Sequence, residues 1–153
     1  MASGYKGERK MECKDILNLI AIVVIPIAAV LIGQHLQNRA EIRKDKMQIF
    51  KTLMTSRIYG WTQESVHCLN IIDIVFADDK TVRDAWKDLY DKYCVQNSDA
   101  AQLKKIQNAQ YKLLETISKS LGYKDKVTWE TIQNPYVPAG MIKQWQEQAK
   151  SQQ

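Results

Sequence analysis

The uncharged apolar run from Ile16 to Gly33 constrains this chain more than any other stretch, because eighteen such residues follow a charged N-terminus. Extended by Gln34, His35 and Leu36, it makes a helix of about 27 to 32 Å at about 1.5 Å per residue, matching a hydrocarbon core of about 30 Å. One helix of this kind crosses a bilayer once. Asn18 lies near the start, where its amide reaches the headgroups, and Pro26 near the middle kinks a spanning helix without forbidding it. Two other structures share such a run. A buried core helix is disfavoured because so small a domain rarely surrounds a helix apolar on all sides. A cleaved signal peptide is disfavoured because the run exceeds a usual apolar signal core and no small-x-small cleavage site follows it.

Basic residues beside a span orient it, the richer flank staying cytoplasmic. The N-terminal flank carries Lys6, Arg9, Lys10 and Lys14, and the C-terminal flank Arg39, Arg43, Lys44, Lys46 and Lys51. The bias is one residue. Cys13, Cys68 and Cys94 are an odd number without a disulfide framework, which suits a reducing cytosol. Both points place residues 37 to 153 in the cytoplasm of a cell whose inner membrane holds the span.

Past the span about 115 residues remain, enough for one modest core. Setting aside Lys6, Arg9, Lys10, Lys14, Glu8, Glu12 and Asp15, residues 37 to 153 hold 18 Lys or Arg against 14 Asp or Glu. This is a mixed surface, which argues against nucleic-acid binding. The juxtamembrane basic residues attract anionic lipid at about 1 kcal/mol each, with Glu41 and Asp45 offsetting part of it.

The apolar pattern after the span is helical throughout, which predicts an all-α chain: the transmembrane helix continues into a small cytoplasmic bundle of about four helices. Ile42, Ile49 and Leu53, with Phe50 and Met54, extend the spanning helix until Gly60 stops it. Thr62 caps a second helix over 63–77, with Trp61 as a staple on Val66. Apolar almost all round, that helix is expected at the centre of the core. A third is expected after Asp78 and Asp79, capped by Thr81 with Asp84 three residues on, its buried stripe formed by Val82, Ala85, Trp86, Leu89 and Tyr93. A fourth starts from the Gln96 to Ser98 turn, buries Leu103, Ile106, Leu113, Ile117 and Leu121, and ends at Gly122 with Tyr123 folding back on Ile117. The organisation is therefore a charged segment over 1–15, a span over 16–36, a bundle over 37–123, and an irregular segment over 124–153 with a short frayed tail helix anchored by Trp145.

Asn70 and Asp73 interrupt the second helix on one face. If Asp73 is buried it needs a partner, and Arg57 across the Gly60 turn is the candidate; otherwise both residues face solvent. Phe50, Met54, Trp129, Tyr136 and Trp145 are the candidate partner surface, the competing reading being ordinary cover of the core.

A resemblance emerges from the motif order: a span, IFKTLMTSR at 49–57, LNIIDIVF at 69–76, AWK at 85–87, LGY at 121–123 and PYVP at 135–138. This resembles a family of small bacterial membrane-anchored proteins of unknown function over nearly the whole chain. The turn opening the second helix departs from that family's Ser-Pro-Glu-His, reading Thr62, Gln63, Glu64 and Ser65. The resemblance implies a bacterial or prophage origin and a cytoplasmic helical domain, with no activity to carry over.

No motif carries catalytic or cofactor chemistry. The two histidines, His35 and His67, sit in no metal-ligand spacing. His67 and Cys68 are adjacent on a helix and point about 100° apart, so they form no nucleophile and base pair. The six glycines, at 4, 7, 33, 60, 122 and 140, are too scattered for a phosphate loop. The reading is accordingly non-enzymatic, without cofactor or metal: a membrane-tethered adaptor or regulatory module whose candidate partners are the lipid bilayer, a protein at the membrane and further copies of itself. The alternative is a membrane-acting effector in a phage-defence or toxin setting, its helices associating through Ala29 and Gly33.

Overall fold

A helix-forming sequence free of glycine from Gln34 to Tyr59 carries α1, Cys13–Ser56, straight from the apolar run into the polar flank, with Pro26 inside it. A computed structural model of the protein describes residues 13–60, 62–95, 99–124 and 126–151. Five more helices follow: α2 (Gln63–Val75), α3 (Lys80–Tyr93), α4 (Ala100–Ser120), α5 (Trp129–Gln133) and α6 (Ala139–Ser151). Among the described residues there is no strand. The chain divides into two compact units, Met1–Glu41 and Ile42–Gln153.

The described part of the first unit is α1 up to Glu41. Its apolar side chains are open on every side, from Leu17 and Ile22 to Leu31 and Leu36, and none of its most apolar window is buried. This is a helix long and apolar enough to span a membrane, a candidate span by length and composition.

The second unit gathers one core. Ile49, Phe50 and Leu53 come from the end of α1, Cys68, Leu69, Ile72 and Phe76 from α2 and its cap, and Val82 and Leu89 from α3. Ala109, Leu113, Leu114 and Ile117 come from α4, with Leu121 at its end, and Ile132 from α5. The most extensive packing joins α3 to α4; α4 also meets α5, and α2 meets α3.

Local chemistry explains the boundaries. After Ser56 the chain turns, the Tyr59 amide donating to the Ser56 carbonyl at 2.9 Å, and Gly60 takes a left-handed φ of 75° that ends the helix where the sequence predicts. Thr62 caps α2 in a reciprocal box with Ser65: the Ser65 amide donates to Thr62 Oγ1 at 3.1 Å and the Thr62 amide to Ser65 Oγ at 3.0 Å. The Trp61 staple lies outside the described residues, as does the Gln96 to Ser98 turn. Helix α4 ends in a Schellman motif, with Tyr123 donating to the Ser118 carbonyl at 2.8 Å and Gly122, at φ 85°, to that of Lys119 at 3.0 Å.

Four expectations are corrected. The third helix is capped by Asp79, not Thr81: its Oδ1 accepts from the Thr81 and Val82 amides at 3.1 and 3.2 Å, a charged acceptor two residues ahead of the hydroxyl. Helix α2 is not the all-round buried centre. It buries Ser65, Cys68, Leu69 and Ile72, while Val66 and Ile74 remain 41% and 76% exposed, because it lies at the side of the α3–α4 pair and only one face meets the core. Leu103 is 57% exposed. It lies ten residues before Leu113, which at about 3.6 residues per turn puts it roughly 80° round the helix from the buried line. Finally, the segment after Gly122 is more ordered than its prolines suggest: Thr128 caps α5, and Ile132 is wholly buried.

Candidate functional site

Of the five basic residues that follow the candidate span in sequence, two, Arg43 and Lys46, reach partners within the core unit. The Arg43 guanidinium donates to the Leu121 carbonyl at 3.0 Å, satisfying the end of α4. Lys46 is buried, its Nζ 2.6 Å from Asp78 Oδ1 and 5.3 Å from the Phe76 ring centre. The hydrogen bond from Lys46 holds the Asp78 carboxyl below its usual range. Arg39, Lys44 and Lys51 stay exposed.

The expected cluster of Arg57, Asn70 and Asp73 does not assemble. Arg57 turns away from α2 and holds α5: its Nε donates to the Ile132 carbonyl at 3.0 Å, Nη2 to that of Thr131 at 3.5 Å, and Nη1 to that of Met54. Burial lowers the Arg57 pKa, and the group remains a cation at neutral pH. Two carbonyls at the end of α5 and one on α1 offer the guanidinium more acceptors than one exposed carboxylate. Asn70 and Asp73 both face solvent.

The proposed aromatic surface is split by the same packing. Phe50 is buried and Met54 half-buried, so α1 uses them as core. Trp129 is 37% exposed and meets Tyr111 edge-on at 5.8 Å. Trp145 meets Tyr59 edge-on at 5.9 Å, the anchor expected for the tail helix, in which no residue is fully buried. Only Tyr136, at 87% exposed, stands free as an interaction residue would.

Among the described residues, three of the concavities lie between helices that supply the core. A cavity of about 30 Å³ lies among Leu53, Arg57, Leu69, Tyr93 and Gln110, room for about a single water. Burial pushes the Tyr93 hydroxyl up to about 12, while Gln110 Nε2 donates to it at 2.6 Å. An open groove of about 630 Å³ runs between α1 and α2, past Asp45, Gln48, Glu64, His67 and Ile71. A second, of about 450 Å³, runs between α2 and α3; Arg83 lines it, and its Nε is buried with no acceptor. In sequence Arg83 lies off the apolar stripe of α3 and carries no mark of its own. The only sequence signal was the run of charges at 80, 83, 84 and 87, one helix face that meets the polar face of α2 only once the two helices pack.

Among the described residues no three His, Cys, Asp or Glu side chains converge as a metal site requires. His67 lines the α1–α2 groove while its neighbour Cys68 is buried, in keeping with their divergent directions along the helix.

No curated protein and no solved structure matches the chain. A family model does: DUF6680, described as a family of unknown function, matches residues 11–153, and the chain belongs to that family.

Proposed function

We propose that this protein is a small bacterial membrane-anchored interaction module: a single span in the inner membrane that tethers a cytoplasmic helical bundle, working by binding a membrane protein and not by catalysis. The observation that carries the reading is the stretch of α1 from Leu17 to Leu36, apolar and exposed on every side, in one uninterrupted helix with the core residues Ile49, Phe50 and Leu53. Lipid is the solvent such a surface fits. Binding is favoured by what lies beyond it. The cavity among Leu53, Arg57 and Tyr93 has room for about a water, whereas the grooves are open and exposed Tyr90 lines one of them. Confinement to one membrane face raises the effective concentration of such a module for a membrane partner.

Crosslinked affinity capture from detergent-solubilised native membranes tests this, comparing the tagged chain with a version lacking residues 16–36. The intact chain is expected to resist carbonate extraction and to capture a specific membrane protein, both lost on deletion. Carbonate release of the intact chain would overturn the anchor. Recovery of homo-oligomers alone, accompanied by membrane depolarisation on overexpression, would favour the effector alternative through close approach at Ala29 and Gly33.

A further inference from the structure

Helix α3 sends one charged face toward α2, and its ion pairing is incomplete. Lys80 is neutralised by Asp84 at 2.6 Å, four residues on. Arg83 and Lys87 line the same groove, and no carboxylate among the described residues comes within ion-pair distance of either. The Nε of Arg83 is cut off from solvent and has no acceptor. A buried donor of a charged group left unmet is uncommon in folded proteins, and it leaves the Arg83 cation without compensation from its own chain. A carboxylate from outside is the matching partner, since its two oxygens accept together from the two Nη groups at the tip of a guanidinium.

The walls fit a peptide better than a free anion. Trp86 and Tyr90 stand one turn apart beside Arg83, edge to face with ring centres 5.8 Å apart, and Tyr90 is 54% exposed. Arg, Trp and Tyr are the residues on which binding energy concentrates at protein interfaces. On the opposite wall Asn70 offers an amide, and beyond the groove's lining Ile74, four residues further along the same stripe of α2, is 76% exposed. Asp73 also lines the groove and competes for the same cations.

We propose that the α2–α3 groove docks an acidic peptide segment of the protein's partner, with Arg83 as the carboxylate anchor, Lys87 as a second cation and Trp86, Tyr90 and Ile74 as the apolar contacts. This rests on the interaction-module reading and names its docking face.

Fluorescence anisotropy tests it with the full chain in neutral maltoside detergent. The probe is a labelled nonapeptide carrying two Glu among Leu and Ser, against the same peptide with both Glu replaced by Gln. The Glu peptide is expected to bind at least about tenfold more tightly. Arg83→Gln should abolish that preference, Lys87→Gln should weaken it severalfold, and Asp73→Asn should tighten binding by removing the competing carboxylate. Lys104→Gln, an exposed lysine on α4, controls for net charge and should change nothing. Equal binding of the two peptides overturns the proposal, as does an Arg83→Gln chain of unchanged helicity that binds like Lys104→Gln. If nanodiscs containing phosphatidylglycerol displace the peptide from the wild-type chain, the groove is a headgroup site and the proposal is likewise overturned. A membrane partner still captured by Arg83→Gln, together with no Glu preference, would refute this groove while leaving the module reading intact.

Discussion

Lys46 illustrates how a residue's role changes once its neighbours are known. In sequence it belongs to the basic flank of the span, yet its stem is buried and its ammonium reaches Asp78, 32 positions away. Asp78 is largely exposed, so the ion pair itself contributes at most about 1 kcal/mol. Most of the contribution is burial of the apolar stem, which a Met retains. Lys46→Ala should therefore cost about 1–2 kcal/mol and Lys46→Met less than about 1 kcal/mol, by urea denaturation in detergent. The pH dependence has a definite sign. The folded Asp78 pKa is depressed, so its share of the stability is present above the unfolded value of about 3.9 and is lost as pH falls through the folded one. The wild-type advantage over Lys46→Met should vanish in that acid window; an advantage unchanged there would refute the link. Arg57 teaches the converse. The sequence offered Asp73 as its partner, but carbonyl acceptors on α5 are invisible to any pattern of side chains.

At the scale of elements, starts and stops were largely legible because caps are local. Gly60, Thr62 and Gly122 act through atoms within a few residues of themselves, so their types alone identify them. Gly122 gives a clean test. A Cβ there meets nothing within 4 Å, leaving only the cost of its φ of 85°. Gly122→Ala should destabilise the folded unit by about 1–2 kcal/mol, and Gly122→Asn by less, since Asn tolerates the left-handed region. Equal losses for both would indicate packing at this turn instead of backbone conformation. What the pattern misjudged was which helix is central. An all-round apolar sequence says that α2 has enough apolar residues for burial, but not that neighbours exist on each side. Exposed Ile74 and Val66 are the result.

For the whole molecule, the proposed tether makes the side of the membrane on which Ile42–Gln153 lies the property to test, and the structure supplies the reporter. Cys94 is exposed and Cys68 buried. In a Cys13→Ser background, a membrane-impermeant maleimide should leave Cys94 unlabelled in intact cells and label it after permeabilisation, with Cys68 reacting only on unfolding. Labelling of Cys94 without lysis would overturn the proposed cytoplasmic placement. The sequence by itself determined the apolar span candidate, the all-helical class and most helix ends, because hydropathy over eighteen residues and capping chemistry act over short separations. Only the tertiary structure decided that Lys46, Arg43 and Arg57 serve distant partners, that Phe50 is core, that Ile132 completes it, and that Arg83 faces a groove without an acceptor. Those outcomes depend on which faces of separate helices meet, and residues 32 to 78 positions apart carry no local mark of their contact.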